Sequence, residues 1–249
     1  IQISAARVIF ESDDNLLLSS STASGKTEAA FFPIIANVVS DPSAASSVSV
    51  LYIAPLKSLI NDQFYRLEEL LDESGIEVTH WHGDVGQSHK SKLLKNPSGI
   101  LQITPESLES MLMNRSNDIP RLFGSLKFVV IDEIHAMLGE DRGNQVICQL
   151  SRIARLIGYS PRRVGLSATI GDIDLAARWL GAGSGRRTVA PVPPKTKLRW
   201  RLGAEHFYIQ NPNEIQTRSP SLETTVQEDR GGRAALDPGF EFLYDATKG

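Results

Sequence analysis

Two short runs of residues in this chain have types and spacing that could do chemistry. In the first, Gly25-Lys26-Thr27 closes a turn of small side chains, SSSTAS, which follows the apolar residues Leu16, Leu17 and Leu18. Small residues let successive backbone N–H groups converge on one point, and a helix starting there adds the positive end of its dipole, so the turn suits an anion the size of a phosphate. Lys26 would then reach the outer phosphates of a nucleotide, and the Thr27 hydroxyl would bind Mg²⁺. In the second run, Asp132-Glu133 follows the apolar stretch LKFVVI. One carboxylate at that position can hold Mg²⁺, directly or through water, and its neighbour can orient or deprotonate an attacking water.

Each run also has a plainer reading. The phosphate-loop pattern G-x-x-x-x-G-K-[ST] asks for glycine where this chain has Ser20, and Ala23 stands where many such loops carry another glycine. By itself the stretch could be a strand, a turn and a helix with an incidental surface lysine, and Asp132-Glu133 could be a solvated acidic turn. Their occurrence in one chain, each after a strand-like run, favours a shared nucleotide site.

The elements that must position these residues alternate. Residues 1–10 are helix-compatible, and 15–27 read as a short apolar strand running into a small-residue turn ahead of the helical run 28–39. Beyond them, 48–54, 77–80, 99–104, 126–131 and 163–167 read as strands. Helices are expected over 56–71, 86–95, 105–113, 143–157 and 172–180, with Pro105 suited to a first helical turn. Such alternation predicts an α/β domain with a mostly parallel sheet. Ligands of such sheets gather at the carboxyl ends of the strands, where Ser20–Thr27, Pro55, Thr104-Pro105, Asp132-Glu133 and Ser167–Thr169 all fall. After residue 183 the pattern fades. Short strands are conceivable at 186–190, 197–202 and 204–209, residues 211–238 read as a polar linker, and 240–245 could open another element.

The 249 residues carry 41% hydrophobic and 22% charged side chains, ordinary values for a globular protein. No apolar run approaches the ~20 residues of a membrane span, and no signal-peptide pattern is present. The single cysteine, Cys148, is expected to be a buried filler, and a cytoplasmic setting follows as the default. A net charge of −3 advertises no global basic field for nucleic acid, yet leaves room for a local groove. The abrupt start at Ile1 reads as a cut end.

The run Asp132-Glu133-Ile134-His135 resembles the DExH box of superfamily-2 helicases and translocases, and further motifs follow in that family's order. Ile1-Gln2 resembles the end of the Q motif, residues 20–27 motif I, and Ala54-Pro55-Leu56-Lys57 through Gln63 motif Ia. His82-Gly83-Asp84 and Ile103-Thr104-Pro105-Glu106 resemble the later nucleic-acid-contacting loops, and Ser167-Ala168-Thr169 resembles motif III. The wording PLKSLINDQF, WHGDVGQSHK and NPSGILQITPESLE is similar to the Lhr (large helicase-related) group, and GEDRG, 139–143, to Ski-type helicases. The resemblance covers residues 1–183.

It implies a three-layer RecA-like P-loop NTPase domain, the first lobe of a helicase, with an extended, irregular tail: 1–183 as the ATP-binding lobe, 184–210 as a strand-rich extension, and 211–249 as a linker toward a second RecA-like lobe. It also implies ATP and Mg²⁺ as cofactors. The nucleotide would be held by Gln2 at the adenine and by Thr22, Ala23, Ser24, Gly25, Lys26 and Thr27 at the phosphates. Thr27 and Asp132 would hold the metal, Glu133 the water, and His135, Ser167 and Thr169 would couple the site to nucleic acid. Pro55, Lys57, Gly83, Thr104, Pro105 and Arg142 would contact DNA or RNA, largely without regard to sequence, through backbone N–H groups, helix N-termini and hydroxyls. His135 and Arg142 could instead be plain surface residues, Trp81 could stack a base or fill the core, and the lysines of 89–95 could touch nucleic acid or face solvent. The transition-state arginines of the second lobe have no match here; Arg230-Gly231-Gly232-Arg233 echoes one in a polar context without a strand–helix unit before it. Rival functions are a DEAD-box-like RNA clamp, a non-catalytic nucleic-acid-binding module with a relic nucleotide site, and, more remotely, a small-molecule kinase.

Overall fold

Strands apolar at every position need cover on both faces, and the sheet is built that way. The structure, a computed structural model, describes residues 1–20, 24–41, 46–71 and 74–191. In chain order the elements are α1 (Gln2–Glu11), β1 (Asn15–Ser19), α2 (Lys26–Val39), β2 (Val50–Ile53), α3 (Lys57–Leu71), β3 (Val78–Trp81), α4 (Gln87–Lys95), β4 (Ile100–Ile103) and α5 (Pro105–Asn114). They continue with α6 (Ile119–Phe123), β5 (Phe128–Ile131), α7 (Asp141–Ile157), β6 (Arg162–Ser167), α8 (Ile173–Gly181) and β7 (Thr188–Val189). The strands form a seven-stranded sheet in the order β3-β4-β2-β5-β6-β1-β7. Every pairing in it is parallel.

Register sorts the strand side chains onto two faces. Leu17, Leu51, Ile53, Leu101, Ile103, Val129 and Ile131 pack against α4 to α8. Leu16, Leu18, Val50, Tyr52, Ile100, Phe128, Val130, Val164 and Leu166 pack against α1, α2 and α3. The result is the expected three-layer α/β sandwich. Each large side chain fully buried in either layer contributes roughly 1.5–3 kcal/mol. Trp81 is 8% exposed and belongs to the first core, with the Lys90 ammonium over its ring at 5.6 Å.

Cys148 departs from expectation, because it is exposed. Along α7 the buried positions are Gly143, Val146, Gln149, Leu150 and Ile153, and helical periodicity turns Cys148 outward between them. The short helix α6 and the 3₁₀ turn Ser116–Asp118 before it have no counterpart in the sequence reading. Of the strands conceived after residue 183, only β7 lies within the described residues; it pairs with β1 at the sheet edge. The readings at 197–202, 204–209, 211–238 and 240–245, and the Arg230–Arg233 echo, lie outside them.

Two buried arginines tie the amino ends of the strands together. The Arg162 guanidinium donates to the carbonyls of Asp14 (2.6 Å), Ile9 (2.9 Å) and Val8 (2.6 Å), satisfying the last turn of α1. Arg163, 1% exposed, donates to the carbonyls of Leu180 and Ala182, and burial, followed by the charge of Arg186, pushes its pKa down to about 10.

Candidate nucleotide and nucleic-acid site

Because the sheet is parallel throughout, the residues that follow each strand emerge along one edge. Topology then sets neighbours: β6 lies between β1, which leads to Lys26, and β5, which leads to Asp132. The turn after β1 ends at Gly25, whose φ of +74° is a left-handed conformation suited to glycine, and α2 starts on Lys26. Lys26 Nζ donates to the Ser20 carbonyl at 2.7 Å, and the Ser20 and Ser24 hydroxyls are 2.5 Å apart. Thr27 stands in the first turn of α2. A Cβ on Gly25 would lie 3.3 Å from Gln2 Nε2, so the first residue of α1 borders this turn. Thr22 and Ala23 lie outside the described residues.

Asp132 leaves β5 with both carboxylate oxygens engaged. Oδ1 accepts from the Glu133 N–H at 2.9 Å, and Oδ2 accepts from the Tyr52 hydroxyl. Burial first, then the charge of Asp132, raises the Tyr52 pKa well above its ordinary value, so the phenol stays a donor. Glu133 adopts φ +49°, ψ +46°, a left-handed conformation unusual for a residue with a side chain. Its Oε2 lies 3.1 Å from His135 Nδ1, which is also 3.1 Å from Ser167 Oγ. The end of β6 is fastened to β1 by backbone and by the Ser19 hydroxyl: the Ser20 N–H donates to the Ser167 carbonyl (3.3 Å), Ser19 Oγ donates to the Ala168 carbonyl (3.0 Å) and accepts from the Ile170 N–H (3.3 Å). Thr169, between them, is exposed.

Metal chemistry is compatible with this edge. Each oxygen of Asp132 retains a lone pair beyond the donor it accepts. Among the described residues no cluster of three or more His, Cys, Asp or Glu could cage a metal. Mg²⁺ fits that situation, since it commonly takes one or two carboxylates and completes its shell with phosphates and water.

The residues assigned to nucleic acid gather in a separate cleft of about 420 Å³ at the same edge. Pro55, Lys57, Gly83, Thr104 and Arg142 line it, together with Leu56, Glu106, Ser107 and Ser110. Thr104 caps α5, accepting from the Ser107 N–H at 3.3 Å. Pro105 is not among the lining residues; it opens α5, and its carbonyl accepts from Gln149 Nε2 at 2.9 Å. Arg142 donates to the Pro55 carbonyl at 2.5 Å and pairs with Glu106 at 2.7 Å. Lys57 pairs with Asp84 at 2.9 Å, holding that exposed carboxyl below its usual range, and a Cβ on Gly83 would lie 3.4 Å from Lys57 Nζ. The segment from Asp132 to Gly143 runs from the end of β5 to this cleft. Gly143 closes it by close approach, because a Cβ there would lie 2.0 Å from the Met137 carbonyl oxygen.

Tyr52 and Gln149 went unnoticed in the sequence. The available signal was a tyrosine in a strand apolar on both faces, since a buried phenol must find a hydrogen-bond partner.

The DEAD/DEAH box helicase family matches residues 1–176. The ATP-dependent helicase Lhr-Core of Methanothermobacter thermautotrophicus is 34% identical over 180 residues, covering 67% of this chain and 20% of that protein. The structure of Mycobacterium smegmatis helicase Lhr bound to ssDNA and AMP-PNP superposes with a TM-score of 0.66 and 32% identity, over 77% of this chain and 25% of that one. The DUF1998 helicase MrfA bound to DNA gives a TM-score of 0.65 and 29% identity, over 76% of this chain and 27% of that one. The chain thus spans about a fifth to a quarter of the length of these relatives. With the family matched over residues 1–176 and its strand-end residues placed along one sheet edge, the chain belongs to the DEAD/DEAH box helicases.

Proposed function

We propose that this chain is the ATP-binding lobe of an ATP-dependent helicase or translocase that couples ATP hydrolysis to movement on, or unwinding of, DNA or RNA. The observation that carries the reading is the shared edge: the Lys26 turn, the Asp132-Glu133 pair and the Arg142 cleft all follow strands of one parallel sheet.

In this reading Gln2 selects adenine, and Thr22, Ala23, Ser24, Gly25 and Lys26 hold the phosphates. Thr27 and Asp132 hold Mg²⁺, which when bound neutralises phosphate charge. Glu133 orients the attacking water, with His135 beside it. His135, Ser167 and Thr169 relate the nucleotide to the cleft, where Pro55, Lys57, Gly83, Thr104, Pro105 and Arg142 take the phosphate backbone of the strand. A second RecA-like lobe completes the site with arginines, and the division into 1–183, 184–210 and 211–249 belongs to the same proposal, as does a cytoplasmic setting. No helix among the described residues is long and apolar enough to cross a membrane.

Lys26→Ala tests the site. Nucleotide binding by calorimetry is expected to vanish while the melting temperature stays put, because Lys26 is partly exposed and lies outside both hydrophobic cores. Wild-type affinity in the variant would remove the assignment. Efficient nucleic-acid-stimulated turnover by these 249 residues alone would count against the need for a second lobe.

A further inference from the structure

Tyr52 is fully buried on the sheet face that packs against α2, and its ring lies 5.9 Å from that of Phe31, tilted by 45°. Phe31 belongs to the helix whose first residues are Lys26 and Thr27. In the sheet Tyr52 is in register with Val130, two residues before Asp132, and its hydroxyl reaches past the end of β5 to donate to Asp132 Oδ2. Asp132 Oδ1 is held by the Glu133 N–H at 2.9 Å. Two donors from different elements therefore fix the plane of this carboxylate, one from β2 and one from the turn after β5. A carboxylate fixed at both oxygens loses its rotation about Cβ–Cγ before any ligand arrives, and less ordering entropy is then lost on binding.

We propose that Tyr52 is a positioning residue of the nucleotide site, holding the Asp132 carboxylate in the orientation that receives Mg²⁺ while its ring braces that carboxylate against the helix bearing Lys26 and Thr27. The inference rests on the reading of Asp132 as the metal-holding acid. Partners that orient metal-holding side chains commonly change metal affinity by about 10–100-fold when removed. Tyr52→Phe keeps the ring and its contact with Phe31 and deletes only the hydroxyl.

The experiment titrates Mg²⁺ into the chain with a fluorescent ADP analogue, and repeats the binding in EDTA. The wild type is expected to bind more tightly with Mg²⁺. Tyr52→Phe is expected to match it in EDTA, which also shows that the variant is folded, and to need about tenfold more Mg²⁺ for half of the gain. A Mg²⁺ requirement within twofold of wild type overturns the proposal and leaves the site reading intact. An equal loss with and without Mg²⁺ makes Tyr52 a packing residue and overturns it too. A wild type whose nucleotide affinity ignores Mg²⁺ overturns the role of Asp132, and the proposal with it.

Discussion

His135 Nδ1 stands 3.1 Å from Ser167 Oγ, joining the turn after β5 to the last residue of β6. The same nitrogen faces Glu133 Oε2 at 3.1 Å, so one imidazole touches both the proposed water-orienting acid and the strand fastened to the Lys26 turn. Ser167→Ala removes the hydroxyl of a fully buried residue without opening a large cavity. In the full-length protein the nucleic-acid stimulation of ATP hydrolysis is expected to drop by about fivefold, a coupling loss of roughly 1 kcal/mol, with basal hydrolysis little changed. Equal effects on basal and stimulated rates would show that the contact is structural only.

Arg142 donates to the Pro55 carbonyl and pairs with Glu106 on the wall of the cleft. Arg142→Ala is expected to weaken binding of single strands uniformly across sequences and to lower the slope of log affinity against log salt by about one. Fluorescence anisotropy at several salt concentrations measures both. An unchanged slope would take Arg142 off the path of the strand.

Arg162 holds three carbonyls at the far end of the sheet. Hydrogen bonds from a charged donor are each worth about 1.5–3 kcal/mol, and water can reach part of this site once the side chain is gone. Arg162→Ala is expected to cost about 3 kcal/mol in urea unfolding and to loosen α1 first, seen as faster amide exchange at Val8 and Ile9. A loss below roughly 1 kcal/mol would mean that the carbonyls rehydrate freely.

Burial lowers the pKa of His80 and of His82, whose rings stack at 5.3 Å, from the ordinary 6.5. Well above 6.5 both are neutral folded or unfolded, and they add no pH dependence there. As pH falls below that value the unfolded chain takes up protons first, so stability declines. The carboxyls of Glu77 and Glu109, held low chiefly by bonds from Lys92 and Arg152, respond only at more acid pH, as it falls toward and below 4.5. The melting temperature should therefore fall as pH drops through 6.5, and His80→Gln should flatten that fall. An unchanged profile in the variant would remove His80 from the account.

The strands were legible because a sheet covered on both faces demands near-continuous apolar runs, as in Phe128–Ile131, and the helices because turn residues such as Gly75 and Pro105 punctuate them. Cys148 was misjudged because an apolar stretch does not say which side of a helix faces in, and that depended on where α7 settled against α5 and α6. Arg162 and Arg163 carried no sequence signal of burial, since charged side chains ordinarily face water and only the converging carbonyls of α1 and α8 admit them.

The sequence by itself determined which chemistry the chain could carry. A small-residue turn ending in Lys26-Thr27 and an acid pair after an apolar strand are local features, specified within a strand, a turn and the start of a helix. Tertiary structure decided which of these groups meet. The parallel crossovers put β6 between β1 and β5, brought Tyr52 to Asp132 across 80 positions, and set Arg142 on the carbonyl of Pro55 across 87. Such pairings arise from strand order and register, which depend on the packing of the whole sheet and on no single stretch of the chain.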